Sequence, residues 1–146
     1  MKIFKLLIIF STLFVTTFAS AGTLVVNSNQ SGEAAKAGFD AYVDAFRAAH
    51  PEVTVVVNEF EHEAYKTAIR NFLTAEAPDV VTWFAGNRMK FFVDQGLFAD
   101  VSDVWADAGL NDSMASSKGA ATVDGKQYGV PWGYYQWGVY YRKDIF

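Results

Sequence analysis

Cysteine is absent from all 146 residues, and histidine occurs only twice. Disulfides are thereby excluded, so the fold must be held by its core alone, and no lipid can be attached through a cysteine behind an export signal. Zinc sites and nucleophilic triads have nothing to build on. His62-Glu63 opens like a zinc-protease helix motif, but Lys66 stands where the second histidine is required, and the metal pair is broken. His50 precedes Pro51 at an expected helix end and reads as exposed. Equally missing are a phosphate-cradling glycine loop, an internal repeat and a low-complexity tract. Positive charge is in the minority: 12 basic against 16 acidic residues give a net charge of −4. Nucleic acid is not an expected partner for such a balance.

Long apolar runs are confined to the N-terminus. Lys2 and Lys5 precede an apolar stretch from Leu6 to Phe18, and Ala19-Ser20-Ala21 supplies a small-x-small cleavage site. Residues 1–21 therefore read as an export signal, with the mature chain beginning near Gly22. The alternative is an uncleaved anchor, but Ser11, Thr12, Thr16 and Thr17 interrupt a run already too short to span comfortably. Removing the signal takes two lysines and leaves ten basic against sixteen acidic residues, a net charge of about −6. Without a cysteine to lipidate, free diffusion in a periplasm is expected over tethering to an outer face. About 125 mature residues suffice for one core, and a monomer is expected.

The mature sequence alternates β-branched runs with helical periodicity. Leu24-Val25-Val26 predicts a strand. Phe39, Tyr42, Val43 and Phe46 form one stripe of an amphipathic helix that starts at Ser31 and ends near Pro51. Val53–Val57 is an almost unbroken β-branched run, the pattern of a strand covered on both faces. Tyr65, Ala68, Ile69, Phe72 and Leu73 repeat the helical stripe up to Pro78, and Asp79–Phe84 predicts a third strand. Met89, Phe92 and Val93 lie on a third helix that stops at Gly96. This β-α-β-α-β-α order predicts an α/β fold: a mostly parallel sheet flanked by helices. Val101–Ala106 predicts one helical turn, and Ala108–Lys118 a loop or short helix. Asp124-Gly125 between Ala121-Thr122-Val123 and Gln127-Tyr128-Gly129-Val130 is a hairpin signal.

In open parallel sheets, ligands bind outside the carboxyl ends of the strands, where loops and helix N-termini converge. That rule selects Asn27–Ser31, Asn58–Glu61 and Phe84–Asn87. Asn29, Gln30, Ser31 and Asn87 both donate and accept hydrogen bonds, which suits hydroxyl groups; Ser31 and Asn87 are equally good helix caps. Glu33, in the first helical turn, is either a ligand contact or a charge placed to favour the helix dipole. Trp83 is either a stacking face or core.

Tyr128–Phe146 holds eight aromatic side chains (Tyr128, Trp132, Tyr134, Tyr135, Trp137, Tyr140, Tyr141 and Phe146) where the chain-wide fraction gives about three. Tyr and Trp join a flat apolar face to a polar tip, which a sugar ring requires and which ordinary aromatic packing also uses. Tyr134, Tyr135 and Trp137 follow Pro131, and in an extended segment at least two of them point in different directions. Glu59, Glu61 and Glu63 alternate after the second strand, but nothing positions the second carboxylate that a glycosidase needs. No catalytic residue, metal ligand or cofactor is therefore expected.

The ordered set of short motifs carries a resemblance. Ser31-Gly32-Glu33 opens the first helix; Ala77-Pro78-Asp79-Val80-Val81 and Gln95-Gly96-Leu97-Phe98 follow. Next come Asp124-Gly125-Lys126-Gln127-Tyr128-Gly129-Val130-Pro131-Trp132 and Tyr140-Tyr141-Arg142-Lys143-Asp144-Ile145-Phe146. Together with the export signal, they resemble the carbohydrate branch of the family 1 extracellular solute-binding proteins of ABC importers. The resemblance implies a two-lobed clamshell without enzymatic activity that delivers a captured sugar to permease subunits in the inner membrane. It implies an incomplete N-terminal lobe over residues 22–130 and the start of the crossover to the second lobe over 131–146. By that reading the chain is the front part of a longer protein and does not bind sugar alone. Family-like contacts fall on Asn29, Gln30 and Glu33, on Trp83 and Asn87, and on Trp132, Tyr134, Tyr135 and Trp137. The alternatives are the same architecture holding ferric ion through paired tyrosinates such as Tyr134-Tyr135 or Tyr140-Tyr141, a polyamine receptor, or a secreted carbohydrate-active enzyme.

Overall fold

The computed structural model describes residues 22–133 and 138–146. Strand β1 (Thr23–Ser28) lies at the centre of a three-stranded parallel sheet, between β2 (Thr54–Glu59) and β3 (Val80–Val81). It pairs with β2 over six residues, from Thr23 opposite Thr54 to Ser28 opposite Glu59. Only two residues of β3 pair with it. The sheet is thus the parallel, helix-flanked kind that the alternating pattern predicts.

The third strand is shorter than the expected Asp79–Phe84 because side chains replace backbone acceptors at both ends of its seam with β1. The Val25 amide donates to Asp79 Oδ2 (2.7 Å) and the Asn29 amide donates to Thr82 Oγ1 (2.9 Å). Between them, the Thr82 amide still donates to the Asn27 carbonyl (3.0 Å). The second strand corrects another expectation. Although Val53–Val57 reads as covered on both faces, β2 is an edge strand among the described residues; Val55 and Val57 are half-buried while Val56 is 41% exposed. A continuous valine run reports β propensity, whereas coverage is set by what tertiary structure places on each face.

Helix α1 (Glu33–Ala49) begins two residues later than Ser31 predicts, with Gly32 at its N-cap and no side-chain cap. Of its predicted stripe, Val43 is buried and Phe39 half-buried, but Tyr42 and Phe46 are exposed. Helix α2 (His62–Ala75) is capped by the Glu61 carboxylate, which accepts the Glu63 and Ala64 amides at 2.9 Å. Those amide bonds hold the Glu61 carboxyl below its usual range. Tyr65, Ile69 and Leu73, spaced four apart on one face, form the core with Phe92 of helix α3 (Asn87–Val93). Phe60, Phe72, Val81, Trp83, Leu97 and Phe98 pack around that cluster.

After α3 the chain turns in a Schellman motif: Leu97 N–H donates to the Phe92 carbonyl (3.0 Å) and Gly96 N–H to that of Val93 (2.9 Å). Gly96 has the positive φ of 70° that this cap requires. Helix α4 (Ser102–Asp107) follows, then two single turns, α5 (Leu110–Ser113) and α6 (Ala115–Lys118). The expected hairpin is present as β4 (Thr122–Val123) and β5 (Lys126–Gln127), with positive φ at both Asp124 (49°) and Gly125 (82°), as in a type I′ turn. Trp105 of α4 is fully buried beside it and donates Nε1–H to the Gly129 carbonyl (2.9 Å).

Tyr65 ties the core to the sheet. Its fully buried phenol donates to the Asn27 carbonyl (3.1 Å), and burial pushes its ionisation well above the usual value. Because the raised group is neutral in the folded state, its contribution is complete below about pH 10 and declines as the unfolded phenol ionises above it. Tyr65→Phe should therefore cost about 1 kcal/mol near neutrality and remove that part of the alkaline loss, measured by urea denaturation from pH 7 to 11.

Candidate functional site

The carboxyl end of β1 carries buried polar residues where a core strand would normally carry apolar ones. Asn27, Ser28 and Asn29 are 5%, 1% and 3% exposed, and Thr82 across the seam is 6% exposed. Burial of such groups demands partners. Asn29 Oδ1 accepts from both Thr82 Oγ1 and Gln30 Nε2 at 2.7 Å, while its Nδ2 lies 3.4 Å from His62 Nδ1. Asn27 Oδ1 accepts from Asn58 Nδ2 at 2.9 Å. The ends of all three strands are thereby tied together through side chains. No buried side-chain nitrogen or oxygen among the described residues lacks a partner.

Asn29 and Gln30 are thus neighbours in one network, Asn29 buried inside it and Gln30 half-buried at its margin. Ser31, read as a cap for the first helix, instead accepts the first amide of α2: His62 N–H donates to Ser31 Oγ at 3.3 Å. Glu33 is exposed in the first turn of α1. Asn87 is the exposed first residue of α3; Gly86 holds the cap position, so Asn87 does not cap.

Trp83 packs into the core, its ring 6.2 Å from Tyr65 and 5.5 Å from Phe92, with Nε1–H donating to the Arg88 carbonyl (3.2 Å). One edge of it also lines a concavity of about 510 Å³ with Lys66, Arg70, Asn87, Arg88 and Phe91. Arg70 lies over the Phe91 ring at 4.6 Å and Arg88 over Phe84 at 4.5 Å. Trp132 sits elsewhere, against α1, edge-on to Phe39 (5.8 Å) and Tyr42 (6.3 Å). Tyr134, Tyr135 and Trp137 lie outside the described residues.

The strand-end rule includes Phe84 only as the first residue of its third segment and stops one residue short of His62. Phe84 lies in the segment after β3, where His62 meets it edge-on at 5.7 Å. Consecutive residues in an extended segment point to opposite sides, so with Trp83 on the core cluster Phe84 turns toward His62 and Arg88. In the sequence His62 stands out only as half of a metal motif. Among the described residues, no three His, Cys, Asp or Glu side chains cluster as a metal site would require. Glu59 pairs with Lys36, Glu61 caps α2, and Glu63 pairs with Lys66. Asp40 and then Glu59, bonded to the Lys36 ammonium, raise its pKa.

A sequence model of the bacterial extracellular solute-binding proteins matches residues 29–146. The chain belongs to that family. Solved structures agree. The bacterial solute receptor AcbH, described as having an exclusive preference for β-D-galactopyranose, is 34% identical over 73% of this chain, with a TM-score of 0.63. A protein studied for xylan utilization by the thermophilic bacterium Caldanaerobius polysaccharolyticus is 32% identical over 75% of the chain, with a TM-score of 0.61. A chitin oligosaccharide binding protein shares the fold at 22% identity over 77% of the chain, with a TM-score of 0.66. The chain spans 27%, 28% and 29% of the lengths of these three proteins, respectively. No curated protein matches it. Among the described residues, no helix is long and apolar enough to cross a membrane.

Asn29→Ala removes one acceptor shared by two donors and should destabilise the protein by about 1–3 kcal/mol in chemical denaturation, because the Thr82 hydroxyl is left buried without its acceptor.

Proposed function

We propose that this chain contributes one wall of an exported receptor that captures a sugar or oligosaccharide in the periplasm and delivers it to an ABC permease. The observation that carries the reading is the composition of the strand-end surface in a chain of this family. Groups that donate and accept hydrogen bonds (Gln30, His62, Asn87) and the half-buried ring of Phe84, against which His62 packs, lie at the carboxyl edge of a parallel sheet. Aromatic faces match the C–H faces of a sugar ring, and amide and imidazole groups match its hydroxyls. Two solved relatives above 30% identity are described in terms of β-D-galactopyranose and xylan, which supports a carbohydrate cargo.

Binding, not bond cleavage, fits this surface. The family is one of binding proteins, and Glu59, Glu61 and Glu63 are each engaged in ion pairing or capping rather than facing one another across a cleft. The mechanism is capture by closure. A ligand that touches both lobes stabilises the closed state by its differential affinity for it, so the wall described here supplies one half of the contacts. Trp132, Tyr134, Tyr135 and Trp137 belong, in this reading, to the aromatic lining near the crossover.

Titrating the complete receptor with galactose, xylo-oligosaccharides and chito-oligosaccharides, read by tryptophan fluorescence and calorimetry, tests the proposal. Asn87→Ala should weaken binding of whichever sugar is captured by about 1–3 kcal/mol. An unchanged affinity removes Asn87 from the site. Failure of every sugar, or a tyrosinate-to-iron absorption band on adding ferric ion, sinks the carbohydrate reading.

A further inference from the structure

His62 stands where the loops from three strands meet. Its helix follows β2; its backbone amide and its Nδ1 reach Ser31 and Asn29 in the loop after β1; its ring abuts Phe84 in the segment after β3. The ring is therefore contacted on two sides, by Asn29 and Phe84, on the carboxyl side of the sheet where ligands of such folds bind.

The orientation of Asn29 fixes which nitrogen of the ring carries the proton. Both short bonds to Asn29, from Gln30 Nε2 and Thr82 Oγ1, end on Oδ1. The amide NH2 is what remains to face His62, and it can only donate. Nδ1 is then the acceptor and the proton resides on Nε2. Nε2 has no hydrogen-bond partner among the described residues, yet no unpaired side-chain nitrogen is buried there, so this N–H reaches solvent.

We propose that His62 is a ligand-binding residue whose Nε2–H donates to a hydroxyl oxygen of the captured saccharide, and that Asn29 is a positioning residue that holds the imidazole in the donating tautomer. The assignment rests on the carbohydrate reading above and adds to it a specific donor that the sequence motifs did not reveal. It also gives the burial of Asn29 a purpose: the side chain acts through the histidine and does not itself touch the sugar.

The test uses the complete receptor, selectively labelled with ¹⁵N-histidine, and β-D-galactopyranose, xylo-oligosaccharides and chito-oligosaccharides as probes. At neutral pH the free protein should show the Nε2–H tautomer for His62, and a saturating sugar should shift the Nε2 resonance. His62→Phe keeps an aromatic ring beside Phe84 but has no donor, and should weaken binding about tenfold, the order expected for one hydrogen bond. His62→Gln places an amide N–H near the lost Nε2–H and should recover most of that loss. A sugar that binds wild type and His62→Phe equally, an Nδ1–H tautomer, or a bound sugar that leaves Nε2 unshifted overturns the assignment while leaving the receptor function intact. Wild-type protein that binds no sugar overturns both.

Discussion

The polar end of β1 is the constraint on which the rest depends. A parallel strand flanked by helices is ordinarily apolar along its length, because buried amides and hydroxyls lose their water. Here Asn27, Ser28, Asn29 and Thr82 are buried together, and the structure satisfies them by drawing in side chains from every adjoining segment. Tyr65 reaches up from the core, Asn58 across from β2, and His62 down from the start of α2. The strand-end loops are therefore fixed before a ligand arrives. A preorganised surface of this kind spends little of its binding energy on ordering itself.

The two sides of the sheet are finished differently. On the α2 and α3 side, Tyr65, Ile69, Leu73 and Phe92 form a closed cluster with Trp83 laid against it. On the α1 side, Tyr42 and Phe46 remain exposed, and Trp132 covers part of the stripe through edge contacts with Phe39 and Tyr42. A polar furrow between α1 and β2, lined by Lys36, Asp40, Asp44, Arg47 and Glu59, completes that face. Beyond the turn, Val139, Tyr140, Ile145 and Phe146 are strongly exposed.

Periodicity made the fold legible. The i, i+4 spacing of Tyr65, Ile69 and Leu73 identified the buried face of α2, and Asp124-Gly125 identified a turn whose two positive φ angles only such residues adopt readily. Strand extent and coverage were less legible. Val53–Val57 does not encode that β2 lies at an edge, and Asp79–Phe84 does not encode that Asp79 and Thr82 leave the ladder to accept amides with their side chains. The strand-end rule selects segments that the structure does place at the carboxyl edge of the sheet, with Asn29 and Gln30 after β1 and Asn87 at the start of α3. It did not separate a residue that holds the loop, Asn29, from its neighbours Phe84 and His62, because that distinction depends on side-chain direction and on long-range partners. Trp83 draws attention by its chemistry, while Phe84, one residue on, is the ring that meets His62.

The seam between β1 and β3 has an evolutionary corollary. A ladder made of backbone groups is indifferent to which residues compose it, so drift along its length leaves the pairing intact. At Val25 and Asn29 the acceptors are instead the Asp79 carboxylate and the Thr82 hydroxyl. There a single codon change removes one acceptor from the junction, so descent with modification has more leverage over this seam than over a ladder of backbone groups alone.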